Sequence, residues 1–142
     1  LIINKVETIN KYYKIFFKKK PRIGILGLNP HNSENRKDSI EKKIILPTII
    51  YLKKKKFNCL GPLVSDTIFI DEYKNYDVIL GMYHDQVLSP FKAIEKFNAI
   101  NITLGLRYLR VSPDHGTAQN LINKNKANPL SLINCIKFLS KF

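Results

Sequence analysis

Two short apolar runs constrain this chain more than anything else in it. Ile23-Gly24-Ile25-Leu26-Gly27-Leu28 gives way to the polar stretch Asn29-Pro30-His31-Asn32-Ser33-Glu34-Asn35, and Val78-Ile79-Leu80 ends close to Tyr83-His84-Asp85-Gln86. A run that is apolar on both faces and bounded by turn residues reads as a strand buried in a parallel sheet. Between and around these runs lie segments of helical period. Ile2, Val6, Ile9, Tyr13, Phe16 and Phe17 recur at mostly three- and four-residue steps, which predicts an amphipathic helix over residues 2–17. The lysine run and Pro21 end it.

A second helix follows the first polar stretch. Asp38 or Ser39 caps it, Ile40, Ile44, Ile45, Ile49 and Leu52 form its stripe, and Pro47 kinks or splits it. Residues 57–63 read as a strand or turn and residues 76–82 as the second buried strand. Residues 99–104 read as a third strand, with residues 106–111 continuing it after the break at Gly105. Asn128-Pro129 is a cap followed by a first-turn proline. The last helix is expected to bury Leu132, Ile133, Ile136 and Leu139, with Phe142 a further candidate. Helices alternating with short apolar strands predict an α/β fold with a mainly parallel sheet flanked by helices. With no internal repeat and no low-complexity linker, residues 1–142 read as a single α/β unit.

The chain has 142 residues and a net charge of +13. Lys, Ile and Asn are all abundant, and all three have A/T-rich codons, so the charge does not require selection for an anionic partner. The runs Lys18-Lys19-Lys20 and Lys53-Lys54-Lys55-Lys56 each follow an amphipathic segment, where cations suit a helix C-terminus. No zinc finger, aromatic recognition strand or arginine-rich arm supports nucleic-acid binding. No apolar run approaches the ~20 residues of a membrane span. Cys59 and Cys135 read as reduced, buried thiols of a cytoplasmic protein. The chain lacks an initiator Met, which points to a fragment or a processed piece.

In open α/β sheets, ligands bind beyond the carboxyl ends of the strands. His31 follows the first strand and His84 the second, so one crevice can hold both as candidate metal ligands. The same histidines also fit ordinary polar roles in loops. Asp66 and Asp85 are carboxylates near that crevice, and either can orient an imidazole. If the backbone is extended at His84-Asp85, those two side chains point apart. Lys92 and Arg110 are candidate anion clamps or plain surface charges, the clamp being favoured for Arg110 by its apolar neighbours Leu109 and Val111, and Asn101 can donate to a substrate oxygen or cap its strand. Asp114-His115-Gly116-Thr117-Ala118 reads as a tight loop that lets a ligand approach the backbone.

Taken in order, these motifs resemble a known family. Gly27-Leu28-Asn29-Pro30-His31 with Glu34, Gly61-Pro62 with Asp66-Thr67, Tyr83-His84-Asp85-Gln86, Asn101-Ile102-Thr103-Leu104-Gly105-Leu106 and Asp114-His115-Gly116-Thr117-Ala118 are similar to the C-terminal part of the 4-hydroxythreonine-4-phosphate dehydrogenase family. The resemblance runs from about Pro21 onward. It implies a partial isocitrate/isopropylmalate dehydrogenase-like fold, the C-terminal portion of a longer two-domain enzyme. It also implies NAD- or NADP-dependent oxidation of 4-phosphooxy-L-threonine in pyridoxal 5'-phosphate biosynthesis.

By the same resemblance, His31 and His84 match two of three metal-binding histidines for zinc, magnesium or cobalt. Lys92, Asn101 and Arg110 match substrate-binding positions. His115, Gly116, Thr117, Ala118 and Asn128 fall in the cofactor loop. The family shares its site across a homodimer, and its missing N-terminal half carries the third histidine. Val87 stands where the family usually has Gly, and Asn120 and Asn123 where Asp and Gly are usual. The alternative expectation is a truncated chain that serves only as a metal- or phosphate-binding or interaction module.

Overall fold

The computed structural model describes residues 1–32 and 36–142; Glu34, part of the first motif, lies outside them. The chain divides into two compact units, Leu1–Pro90 and Phe91–Phe142. The division falls within a helix, so no Pro/Gly-rich linker marks it in the sequence.

In the first unit, α1 (Ile2–Phe17) leads through a left-handed Lys18 into β1 (Ile23–Leu26). The helix at residues 39–54 starts where Ser39 Oγ accepts the amide of Lys42, at 3.2 Å. It then passes through a π-helical turn, Glu41–Ile45, before α2 (Leu46–Lys54). Pro47 explains the split. It has no amide to donate, and the wider turn places it in the first turn of α2, where none is needed. β2 (Cys59–Leu63), α3 (Ser65–Ile68) and β3 (Val78–Leu80) follow, and α4 (His84–Glu95) begins at the second histidine. Pro90 inside α4 removes a helical hydrogen bond and interrupts the pattern, which is why periodicity did not disclose this helix.

The strands form a parallel sheet in the order β2-β1-β3. β1 is central and buried along its whole length. Ile23 and Ile25 project from it into a core made with Val6, Ile45, Ile49, Leu52 and Cys59. β1 pairs with β3 through Ile23–Val78, Gly24–Ile79 and Ile25–Leu80. Against β2 the register jumps from Gly24–Leu60 to Leu26–Leu63, so Gly61 and Pro62 both stand opposite Ile25. A Cβ on Gly61 would lie 2.3 Å from the Ile25 carbonyl oxygen, and its φ is 143°, so this bulge needs glycine.

The second unit corrects an expectation. β4 (Ile100–Thr103) and β5 (Arg110–Pro113) are not a third, extended strand of the main sheet; they pair with each other as an antiparallel hairpin. Gly105, at φ 93°, lies in the reversal between them. α5 (Leu130–Leu139) buries Ser131 and Cys135 rather than the expected leucines and isoleucines. A two-stranded hairpin covers only a narrow face of a helix, so Leu132, Ile133, Ile136 and Leu139 stay exposed. Among the described residues no helix is long and apolar enough to cross a membrane.

Candidate functional site

Because all three strands of the sheet run parallel, their carboxyl ends lie along one edge. The loops that follow them carry His31, Asp66 and His84. His31 Nε2 lies 3.1 Å from Asp66 Oδ2, joining the loop after β1 to α3 after β2. His84 Nδ1 lies 2.6 Å from Asp85 Oδ1. The expectation that Asp85 points away from its neighbour fails because His84 and Asp85 open a helix rather than an extended segment. A carboxylate that engages one ring nitrogen fixes the imidazole's orientation and leaves the other nitrogen for a ligand. All four side chains are largely exposed to solvent.

These groups fit a metal site only in part. Among the described residues, no group of three or more His, Cys, Asp or Glu side chains is placed to hold a metal ion. Two oriented imidazoles fall short of the three protein donors usual in a catalytic zinc site.

The loop that carries His31 is heavily braced. Asn29 Oδ1 accepts the His31 amide at 2.9 Å, and Glu41 Oε1 accepts the Asn29 amide at 2.8 Å. Asn32 Nδ2 donates to the Pro62 carbonyl at 2.8 Å. Gln86 Nε2 donates to the Gly27 carbonyl, and Gln86 Oε1 accepts the Met82 amide, both at 2.8 Å. Glu41 and Gln86 are buried, and periodicity and motif spacing assign neither a role. The available signal was polarity inside or beside apolar runs: Glu41 next to Ile40, and Gln86 closing the Tyr83-His84-Asp85 step.

In the second unit, Lys92 Nζ donates to the Asp114 carbonyl at 3.1 Å and lies 3.5 Å from Asp114 Oδ1. The other carboxylate oxygen of Asp114 is buried with no hydrogen-bond partner. Arg110 Nη1 donates to Thr103 Oγ1 at 2.9 Å, across the pair that these residues form in the hairpin. Asn101, opposite Ser112, is exposed on β4. Ser131 Oγ donates to the Ala99 carbonyl and accepts the Asp114 amide, tying α5 to both strands' flanks.

The stretch from His115 to Ala118 is exposed. His115 Nδ1 lies 3.0 Å from the Gly116 carbonyl oxygen, and Ala118 takes a left-handed conformation at φ 48°. A Cβ on Gly116 would meet nothing within 4 Å, so the loop is open on that side. Beyond it is a recess lined by Leu121, Asn123, Asn125, Lys126 and Ala127. Asn128 Oδ1 accepts the Leu130 amide at 2.9 Å, giving it the capping role that its position before Pro129 predicts.

A family model described as the pyridoxal phosphate biosynthetic protein PdxA matches residues 1–139. That span includes α1, which the motif resemblance did not reach. The 4-hydroxythreonine-4-phosphate dehydrogenase of Sulfurihydrogenibium sp. is 45% identical over 138 residues, covering 96% of this chain and 42% of the relative. The Aquifex aeolicus protein of that name is 42% identical, covering 97% of this chain and 43% of its own. The crystal structure of the Klebsiella pneumoniae 4-hydroxythreonine-4-phosphate dehydrogenase superposes with a TM-score of 0.75 at 31% identity, covering 94% of this chain and 41% of the other. The chain thus spans about two fifths of the length of these curated relatives.

Proposed function

We propose, since the chain belongs to the family of the pyridoxal phosphate biosynthetic protein PdxA, that it is the C-terminal portion of a 4-hydroxythreonine-4-phosphate dehydrogenase. The observation that carries this reading is the family match over residues 1–139, with His31 and Asp66 paired at the carboxyl edge of the parallel sheet. The reaction is oxidation of the C3 alcohol of 4-phosphooxy-L-threonine by NAD or NADP. The product, 2-amino-3-oxo-4-phosphooxybutanoate, then loses CO2 to give 3-amino-2-oxopropyl phosphate.

In this reading Arg110 and Lys92 hold the anionic groups of the substrate. Arg110 enters with its guanidinium already oriented by Thr103, which lowers the ordering cost of a bidentate contact. The Lys92 ammonium has three donors; the carbonyl and carboxylate of Asp114 engage two of them, which leaves one for a phosphate or carboxylate of the substrate. Asn101, exposed on the same hairpin, supplies a neutral hydrogen bond. His31 and His84, held by Asp66 and Asp85, contribute two donors to a divalent-metal site (zinc, magnesium or cobalt) whose remaining donors lie outside this chain. A bound metal supplies Lewis-acid polarisation of the substrate oxygen.

The open loop from His115 to Ala118 and the recess beyond it support nicotinamide-cofactor binding on the second unit. The exposed apolar side chains of α5 support a homodimer that completes the site. The two free thiols fit a cytoplasmic setting.

The test supplies the missing half. The chain is co-expressed with, or fused to, the N-terminal portion of the Sulfurihydrogenibium relative, and NAD(P)H formation from 4-phosphooxy-L-threonine is followed. Turnover that His84→Ala abolishes is the expected result. No turnover with any supplied N-terminal half, alongside retained metal or phosphate binding, would favour the eroded binding module instead.

A further inference from the structure

Only three polar or charged side chains among the described residues are buried: Glu41, Gln86 and Ser131. Each is tied to the backbone of a segment that carries candidate site residues. Gln86, 7% exposed, does the most in the first unit, because its carboxamide spans two strand ends.

The ladder between β1 and β3 stops at the Ile25–Leu80 pair. Beyond it the chains part, one toward His31 and the other toward His84. Gln86 fills the gap that opens. Its Nε2 donates to the carbonyl of Gly27, and its Oε1 accepts the amide of Met82, both at 2.8 Å. The carboxamide therefore acts as an inserted peptide unit that extends the sheet's hydrogen bonding past the last strand pair. Its orientation is fixed, since a flipped amide would set donor against donor and oxygen against oxygen. The turn has little slack: a Cβ on Gly81 would lie 2.6 Å from Val87 Cγ1, so it packs directly on the first turn of α4.

We propose that Gln86 is a positioning residue, which clamps the His31-bearing loop to the His84-bearing turn and so sets the separation of the two imidazoles. Glu41 braces the same loop through the Asn29 amide, and Asn29 in turn holds the His31 amide. The loop is thus held from both sides by buried polar groups, while the imidazoles themselves stay exposed. The inference deepens the proposed function in one respect only: that reading says why the separation of the imidazoles matters.

The experiment uses the isotope-labelled chain of 142 residues and nuclear magnetic resonance, with no turnover measured. Gln86→Met removes both hydrogen bonds at similar volume. Gln86→Glu keeps an acceptor for the Met82 amide and, once ionised, loses the donor to Gly27; protonated, it keeps both, so its spectra are followed across a pH series. In Gln86→Met, Met82 amide exchange should accelerate by about tenfold or more. The His31 and His84 resonances should both shift or broaden, while the Ile23 and Ile25 amides keep their protection. In Gln86→Glu, Met82 should stay protected throughout, and the disturbance should fall on the segment from Gly27 to His31 as the carboxyl ionises and its donor is lost.

Unchanged His31 and His84 resonances in both variants would overturn the proposal. So would an even loss of protection that includes Ile23 in both variants, since that marks an ordinary core role. If Gln86→Met fails to fold, the asymmetric pattern in Gln86→Glu decides alone. Because no signal depends on dehydrogenation, failure of the functional reading leaves these results standing, and the reverse also holds.

Discussion

His31 and Asp66 come from segments that follow two different strands, yet their side chains meet at 3.1 Å, Nε2 to Oδ2. The parallel order of β1 and β2 delivers both residues to the same edge of the sheet. The carboxylate accepts from the imidazole, so the nitrogen left for a ligand is Nδ1.

Asp66→Asn keeps the shape but removes the charge that fixes this orientation. If His31 is a metal ligand, as proposed, the carboxylate that orients it is worth roughly 10- to 100-fold in metal affinity or activity. In the complemented enzyme, cobalt titration and NAD(P)H formation should both fall within that range. A variant with unaltered metal affinity and turnover would leave Asp66 as a loop contact only.

Arg110→Lys tests the proposed anion clamp. Lysine keeps the charge but loses the planar fork that Thr103 orients. The expected outcome is a KM for the phosphorylated substrate raised by roughly tenfold with kcat little changed, as for loss of uniform binding. Steady-state kinetics of the complemented enzyme measure both. A fall in kcat at constant KM would assign Arg110 to the chemical step instead.

Asp77 sets an acid limit on stability. Its carboxylate accepts from Lys19 Nζ at 2.8 Å, from the Arg22 amide at 2.8 Å and from the Tyr13 hydroxyl at 3.1 Å. The Lys19 hydrogen bond, foremost, holds its pKa below the ordinary carboxylate value. A depressed carboxylate contributes stability that is present above the unfolded pKa of about 3.9 and is lost as pH falls through the folded value. Asp77→Asn should therefore destabilise the chain at neutral pH by about 1 kcal/mol or less, since solvent screens the pair, and should flatten the acid limb. Urea unfolding at a series of pH values reads both effects.

Cys59 and Cys135 are free and buried, and burial, the largest influence on each, raises their pKa values. Both should be inert to a disulfide-exchange reagent at neutral pH in the folded chain and react once denaturant is added. One thiol lies in each compact unit, so peptide mapping of the labelled cysteines reports the opening of each unit separately.

Local elements were legible where a single physical signal dominates. The steps between Ile2 and Phe17 predicted α1 to its ends, and Pro47 foretold the break that became a π-helical turn. The apolar runs at Ile23 and Val78 proved to be β1 and β3, paired in parallel. The hairpin of β4 and β5 was not legible, because an apolar run does not name its partner. In α5 the stripe of Leu132, Ile133 and Ile136 outweighs Ser131 and Cys135 in any hydropathy pattern, so the sequence points the wrong face inward.

Residue types and their local spacing alone fix which chemistry-bearing residues exist, which short runs become strands, and the order of motifs that marks the family. Those properties follow from side-chain type and local spacing, which need no partner. That His31 meets Asp66, that Arg110 leans on Thr103, and that Gln86 closes the gap past the Ile25–Leu80 pair are outcomes of the folded packing. Each of those contacts joins residues from different elements. It becomes favourable only after apolar burial has brought their backbones together, because a lone hydrogen bond between distant segments does not offset the entropy of closing the loop between them.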